Sequence, residues 1–250
     1  MSKLIATSLA AAATATLQIG VISDVHMNQA YNAYNSATKC TTTGSSGEIV
    51  APIARYGCDG SPALVDMLFT RFKAAFGSVD VIIVPGDSVA HKVAASLEGD
   101  DPNGTAYAAV KANLQATFNK FNEHFPNTVI LPTFGNNDGR YHDEAIDEKD
   151  KSDYYNFVYN LWFEQLTGNA GLDVASIKST LLTAGYYRAD LSPKVTVLSM
   201  NSMYMDASDL STHNGQADVI LTWLEYQLTL AQHDGRKVII SDHVYAGSRF

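Results

Sequence analysis

Four short motifs place a metal-ligating type of residue directly after an apolar, strand-like run. Because parallel strands end at the same edge of a sheet, side chains that follow them can converge on one site. Carboxylate, amide and imidazole groups at such an edge are suitable ligands for a dinuclear metal centre. Each motif alone is a common pattern, but the four together predict such a centre. The motifs are Asp24-Val25-His26 after residues 17–22, Gly86-Asp87 after residues 79–84, Gly135-Asn136-Asn137-Asp138 after residues 129–131, and His243 after residues 238–240.

The spacing within these motifs favours particular ligand roles. Asp24 and His26 are separated by one residue, so in an extended chain their side chains share a face and could bind one metal. Asp87 follows a Pro-Gly turn, and a carboxylate freed from the sheet there can bridge two cations about 3.5–4 Å apart. The amide oxygen of Asn136 is a sound ligand for a hard cation. Simpler explanations stay open, since Asp87 could cap a loop and His243 could be a core histidine.

The segments between the motifs predict the elements that position them. Ser61 and Pro62 are typical of a helix start, and apolar residues follow at helical spacing. A helix between the apolar runs at residues 17–22 and 79–84 makes a βαβ unit, which implies a parallel pair of strands. The same reasoning predicts helices over residues 105–125, 153–166 and around 223–230, and strands at residues 129–131, 186–187, 195–200 and 238–240.

Length and charge limit the classes of function. A chain of 250 residues is long enough for an α/β domain with a buried core. The net charge of −9 argues against a nucleic-acid partner, since phosphate backbones favour basic surfaces. It is compatible with a small phosphorylated substrate, because bound divalent cations reverse the local charge. No segment of the sequence predicts a transmembrane span.

The N-terminal residues predict export. A lysine precedes a short apolar and small-residue run over residues 4–13, and Ala13-Thr14-Ala15 has the form of a cleavage site. We therefore interpret residues 1–15 as a signal peptide and residues 16–250 as the mature domain. The expected location is outside the cell or in a lysosomal or vacuolar lumen. A cytosolic protein with an Ala/Thr-rich N-terminus is the alternative.

The two cysteines agree with export. Cys40 and Cys58 bracket a Gly/Ser/Thr-rich stretch, and neither lies in a Cys/His pattern typical of a metal site. Disulfides persist in oxidising compartments, so a bridge between the two is favoured over free thiols if the chain is exported.

The ordered series of motifs resembles the calcineurin-like metallophosphoesterases. That family shares the pattern D-x-H, G-D, G-N-x-[DE] and a later strand-end histidine, which this chain matches at Asp24, His26, Asp87, Asn136 and His243. The resemblance covers nearly the whole chain from about residue 17. Other features resemble the acid sphingomyelinase and endopolyphosphatase branch: Tyr56-Gly57-Cys58-Asp59 before Ser61-Pro62, Gly86-Asp87-Ser88 with His91 shortly after, and Trp223-Leu224-Glu225.

The resemblance implies a four-layer α/β/β/α sandwich with two divalent metal ions at the strand ends. Zinc is the expected metal, with manganese or iron as alternatives. By motif position, Asp24 and His26 would hold one metal, Asp87 would bridge, and Asn136 and His243 would hold the second. A metal-bridging hydroxide would then attack the phosphorus of the substrate.

The third motif departs from the common family pattern. The family usually has histidine after the asparagine, whereas this chain has Asn137, as in endopolyphosphatase-like members. Asn137 can donate a hydrogen bond to a phosphoryl oxygen but cannot serve as a proton donor of useful pKa. His91 matches a histidine of the branch that lies close to the leaving group, and it is the candidate general acid. His142 is a second candidate.

A larger departure concerns the C-terminal end. The family closes its site with a G-H-x-H segment, one histidine per metal, downstream of the position that His243 matches. This sequence contains no G-H-x-H segment. Each metal would lose one imidazole, so we expect the domain over residues 16–250 to be C-terminally incomplete.

The leading functional prediction is an acid sphingomyelinase-like phosphodiesterase. The first motif begins at residue 24, which leaves no room for the saposin-like module of acid sphingomyelinases and favours a soluble phosphodiester such as a nucleotide. Asn137 favours an endopolyphosphatase, with polyphosphate as substrate, as the enzymatic alternative. The missing final histidines favour a third interpretation, a catalytically impaired relative that binds phosphorylated ligands.

Overall fold

The computed structural model describes residues 16–31, 51–55, 58–91, 93, 104–206 and 215–245. These residues form two three-stranded sheets with helices packed against them. The α/β class is therefore confirmed, and two sheets with flanking helices agree with a metallophosphoesterase sandwich. The elements in chain order are β1 (Ile19–Val21), α1 (Pro62–Phe76), β2 (Val81–Val84), α2 (Thr105–His124), β3 (Val129–Pro132), α3 (Lys151–Tyr159), α4 (Val174–Ala184), β4 (Tyr187–Ser192), β5 (Val195–Ser199), α5 (Gln216–His233) and β6 (Lys237–Ser241).

The first sheet carries the first three motifs. Its order is β1-β2-β3, and both pairs of strands are parallel, which confirms the predicted βαβ unit. Helix α1 begins where the sequence predicts, because Ser61 Oγ accepts a hydrogen bond from Leu64 N at 3.0 Å and Pro62 occupies the first turn. All four residues of β2 are buried. Because the three strands are parallel, their carboxyl ends meet at one edge of the sheet.

The second sheet brings the fourth motif to that edge. Its order is β4-β5-β6, antiparallel between β4 and β5 and parallel between β5 and β6. Thr133 Oγ1, just past β3, lies 3.0 Å from Ser199 Oγ and 2.6 Å from Ser241 Oγ. Tyr187 Oη donates to Pro132 O at 2.6 Å. These buried contacts join the ends of β3, β5 and β6, so His243 emerges beside the end of β2.

A buried aromatic cluster fills the space beside the first sheet, and it changes the helix predicted over residues 153–166. Phe134 and Trp162 lie with ring centroids 4.6 Å apart. Helix α3 ends at Tyr159, and the chain continues as a π-helical turn over Asn160–Glu164. The wider turn allows three consecutive residues, Leu161, Trp162 and Phe163, to be buried.

Helix α4 was not predicted from the sequence. Both of its ends carry ordinary signals: Asp173 accepts a hydrogen bond from Ser176 N at 3.2 Å, and Gly185 has a φ of 74°. The helix packs against α3 and β4. Of its residues, Ile177, Leu181 and Ala184 are buried.

Two predictions fall outside the described residues. The predicted signal peptide, residues 1–15, lies there, and so does Cys40. The cleavage site and the Cys40–Cys58 bridge therefore stay predictions. Among the residues that the structure describes, we find no helix with the length and hydrophobicity of a membrane span.

A single side chain caps the outer edge of β3. Asn169 is fully buried, and its Oδ1 accepts from Ile130 N at 2.8 Å. Its Nδ2 donates to Ile130 O at 2.8 Å and to Trp162 O at 2.7 Å. The amide thus satisfies backbone groups that a further strand would otherwise pair, and it joins the edge strand to the π-helical turn.

We predict that Asn169→Ala lowers the free energy of unfolding by about 3 kcal/mol, because it leaves buried backbone groups of Ile130 and Trp162 without partners. Urea denaturation measured by circular dichroism would test this. Asn156→Ala, at an exposed position of α3, is the control and should change stability by less than about 0.5 kcal/mol. Equal effects of the two substitutions would contradict the capping role.

Candidate metal centre

The backbone around the first two motifs adopts an unusual conformation. Asp24, His26 and Asp87 have φ values of 54°, 39° and 53°, which are rare for residues other than glycine and cost on the order of 1 kcal/mol each. Hydrogen bonds between the motifs hold this geometry: Asp24 N donates to Gly86 O at 3.2 Å and His26 N to Asp87 O at 3.0 Å. Strain of this kind persists where surrounding contacts fix it, and it is concentrated at functional sites.

The Asp87 carboxylate lies between two histidines. It is buried, with Oδ2 3.3 Å from His26 Nε2 and Oδ1 3.4 Å from His243 Nε2. Beyond these rings, Asp24 Oδ1 is 3.8 Å from His26 Nε2, and Asn136 Oδ1 is 3.0 Å from His243 Nε2. The structure thus brings together all five residues that the sequence predicts as metal ligands. They form two groups of donors, one at each oxygen of Asp87.

Both histidines present the same nitrogen to the site. His26 Nδ1 lies 3.0 Å from Val89 O, and His243 Nδ1 lies 2.8 Å from Pro85 O. A carbonyl oxygen can only accept, so in each ring Nδ1 carries the hydrogen, as the contacts assign it. Nε2 is then the ring nitrogen that faces Asp87 and would bind a cation, which is the usual arrangement behind a metal-ligating histidine.

Hydrogen bonds stabilise the buried charge of Asp87. Burial alone would raise the pKa of Asp87, but the hydrogen bonds from His243 and Asn137, and the electrostatic attraction of His243 and His26, hold it below the usual value. Asn137 donates twice, from its backbone N to Oδ1 at 2.9 Å and from Nδ2 to Oδ2 at 2.8 Å. The structure therefore places the Asn137 side chain on Asp87, and its contact with phosphate stays a prediction.

His243 carries the positive charge of the site when the chain is free of metal. Burial would lower its pKa, but the hydrogen bond and charge of Asp87 raise it to about 9. At neutral pH the imidazolium therefore neutralises part of the charge of Asp87. A cation that binds His243 must displace this proton, so metal binding and proton release are linked.

The buried carboxylate of Asp138 joins the backbone segments that follow β2 and β3. It is fully buried, its Oδ1 accepts from Ser88 N at 2.8 Å and Val89 N at 3.0 Å, and its Oδ2 accepts from Gly135 N at 2.9 Å. Burial and the nearby charge of Asp87 raise the pKa of Asp138 to about 6. Asp138 was not predicted as a site residue, although it is the acidic position of the third motif.

Two glycines allow the motif backbones to approach one another. A Cβ on Gly135 would lie 2.2 Å from Asp87 N, and one on Gly86 would lie 2.7 Å from Gly135 Cα. Gly86 also has a φ of 94°. Larger residues at either position would move Asp87, so the glycines of the motifs are steric requirements of the site.

His91 extends the site on the His26 side. Its ring stacks on that of His26 with centroids 4.0 Å apart, and its Nδ1 lies 2.8 Å from Asp59 Oδ1. About half of its side chain, 52%, is exposed. Asp59 belongs to a motif recognised in the sequence, but no role was predicted for it, because a carboxylate 32 residues upstream of His91 gives no local sign of contact. His142, the second candidate acid, contacts Asn136 instead.

The site and the fold define the class of protein. The chain belongs to the calcineurin-like phosphoesterase family, whose model matches residues 17–248. This confirms the predicted family, which is one of phosphoric ester hydrolases.

Curated relatives narrow the comparison. The chain is 28% identical over 231 residues to the cyclic GMP-AMP phosphodiesterase SMPDL3A of Bos taurus, covering 90% of this chain and 48% of that protein. It is 24% identical over 251 residues to the sphingomyelinase phosphodiesterase D of Dictyostelium discoideum, covering 90% and 52%. It is 25% identical over 207 residues to an endopolyphosphatase of Schizosaccharomyces pombe, covering 78% and 33%. The chain thus spans between a third and about half the length of these relatives.

Proposed function

We propose that this chain is a metal-dependent phosphoesterase that hydrolyses a phosphodiester with two divalent cations held on either side of Asp87. The observation that carries the proposal is the position of this buried carboxylate, whose two oxygens face two different imidazoles at 3.3 and 3.4 Å. A carboxylate in that position is suited to bridging a pair of cations. Two relatives whose names describe phosphodiesterases support the substrate class.

The donor set fits two cations. Asp24 and His26 would hold one, Asn136 and His243 the other, and Asp87 would contact both. Candidate ligand atoms of Asp24, Asp87 and His243 already lie within 4.8 Å of one another. Mixed imidazole and oxygen donors suit zinc, with manganese or iron as alternatives. Cations bound there would supply Lewis acidity and lower the pKa of a coordinated water.

The residues of the chain provide orientation and a proton. Asn137 fixes the plane of the Asp87 carboxylate through two hydrogen bonds. His91, which is stacked on His26 and half-exposed, would donate a proton to the oxygen of the leaving group. Asp59 holds the His91 ring through Nδ1 and so directs the opposite nitrogen away from itself.

The Asn137 side chain and one relative favour a second substrate. Asn137 is the residue found at this position in endopolyphosphatase-like members, and an endopolyphosphatase is among the relatives. Gel analysis of polyphosphate digests distinguishes the two proposals. Shortened chains without hydrolysis of phosphodiesters would favour the endopolyphosphatase, and the reverse would favour the phosphodiesterase.

We also propose that the chain is exported and that Cys40 and Cys58 form a disulfide. The predicted signal peptide and the presence of two cysteines support this. Intact mass measured after alkylation should show no modified cysteine before reduction and two after it. Alkylation of both cysteines without reduction would contradict the bridge.

We predict that Asp87→Asn abolishes hydrolysis of bis(p-nitrophenyl) phosphate, with a loss on the order of 1,000-fold or more, because the substitution removes a charge proposed to contact both cations. Turnover should depend on added zinc or manganese and disappear with a chelator. Asp218→Asn, in the exposed first turn of α5, is the matched control and should retain activity. A folded, metal-loaded protein without turnover would support the non-catalytic, phosphate-binding alternative, and retained activity of Asp87→Asn would refute the bridging role.

We predict that His91→Ala slows hydrolysis of esters with poor leaving groups by about 100-fold while activated aryl esters lose much less, because only a poor leaving group requires a proton. Comparing kcat for an alkyl and a p-nitrophenyl phosphodiester measures this. Asp59→Ala should show the same selectivity with a smaller loss. Equal losses on both substrates would remove His91 from the acid role.

A further inference from the structure

The side-chain amide of Asn136 has two ends, and the function of the residue depends on which one faces the metal centre. Oδ1 can bind a cation, whereas Nδ2 carries two hydrogens and cannot. In the structure Oδ1 lies 3.0 Å from His243 Nε2, on the side of Asp87. Asparagine itself does not determine this orientation, because the two ends have nearly the same shape. The surrounding contacts must determine it.

Asp143 provides such a contact. Asn136 Nδ2 donates to Asp143 Oδ1 at 2.7 Å. An ionised carboxylate only accepts hydrogen bonds, so the amide oxygen cannot face Asp143 without placing two acceptors against each other. The carboxylate therefore selects the orientation in which Nδ2 faces away from the metal centre and Oδ1 faces toward it.

His142 completes a closed set of contacts. Its Nε2 lies 3.2 Å from Asn136 Nδ2, and because an amide nitrogen only donates, this ring nitrogen is the acceptor. Its Nδ1 lies 3.1 Å from Asp143 Oδ2. Both hydrogens of the amide are thereby engaged, one by Asp143 and one by His142, and the amide cannot rotate without losing both contacts.

The backbone of Asp143 also holds this residue beside Asn136, although in a strained conformation. Asp143 N donates to Asn136 O at 3.1 Å, which closes the loop between the two residues. Asp143 also has a φ of 61°, a conformation rare for residues other than glycine. Like the other strained residues of the site, it is held there by its contacts, here with Asn136 and His142.

We infer that Asp143 is a positioning residue that orients the Asn136 amide so that its oxygen becomes a ligand of one of the two cations. The inference rests on the proposed function, because it requires that cations bind at this site. His142 has a supporting part, as the second acceptor for the amide. The chemistry resembles that of the carboxylates that orient metal-ligating histidines from behind.

Isothermal titration of the full chain with manganese tests the inference without an activity assay. Asp143→Ala should weaken binding of one of the two ions by about 10–100-fold and leave the other within about threefold. The thermal midpoint of the metal-free variant should stay close to that of the parent, since the Asp143 side chain is partly exposed.

Asp143→Asn is the control that separates orientation from charge. It removes the negative charge but keeps an oxygen that accepts from Asn136 Nδ2, so binding should be clearly tighter than in Asp143→Ala. Equal losses in the two variants would mean that only charge matters and would overturn the inference. Unchanged binding of both ions in Asp143→Ala would also overturn it. A parent chain that binds no manganese would instead refute the proposed function.

Asp143→Gly keeps the inference testable if Asp143→Ala does not fold, because glycine readily adopts the φ of 61° found at this position. It removes the same carboxylate, so binding of one ion should weaken by about 10–100-fold while the other changes by less than about threefold. Unchanged binding of both ions would overturn the inference.

Discussion

The buried carboxylate of Asp87 is the constraint on which the site depends. A charge removed from water is costly unless hydrogen bonds and opposite charges surround it. Asn137 supplies two hydrogen bonds, and His26 and His243 face one oxygen each. The left-handed backbone of Asp87 and its close contact with Gly135 are consequences of placing this side chain where all of those groups reach it. A cation pair would satisfy the same carboxylate more completely than the protons of the metal-free chain do.

This constraint also explains why the site requires both sheets. Asp87 follows β2 in the first sheet, while His243 follows β6 in the second, 158 residues after its hydrogen-bond partner Pro85. The hydroxyl contacts of Thr133 with Ser199 and Ser241 fix the strand ends of one sheet against the other. Small shifts of one sheet relative to the other would move the His243 imidazole away from the Asp87 carboxylate. Metal binding should therefore stabilise the whole domain, since the ligands come together only in the folded chain.

The strand ends and ligand types could be predicted from the sequence because their signals are local. An apolar run followed by a metal-ligating residue needs no knowledge of tertiary contacts, and the helix start at Ser61 is a capping interaction within one turn. The π-helical turn at Asn160–Glu164 could not be predicted, because the packing around Trp162 determines it. Asp59 was missed for a related reason, since its partner is distant in sequence. Helix α4 differs, because its capping residues Asp173 and Gly185 are local signals that the sequence does contain.

The two histidines considered as proton donors show what the structure adds to a motif. Each lies near a proposed metal ligand and beside a carboxylate. His91 lies beside His26 and Asp59, and His142 lies beside Asn136 and Asp143. In the structure His142 uses both ring nitrogens, one toward Asp143 and one toward Asn136, so neither is available to a substrate. His91 differs: within the described part of the chain its Nε2 has no hydrogen-bond partner, and its ring stacks on His26. A proton donor needs a ring nitrogen that can reach the substrate, whereas a positioning residue uses its ring nitrogens to hold neighbouring side chains. The same type of side chain is therefore suited to acid catalysis on one side of Asp87 and to holding a ligand on the other.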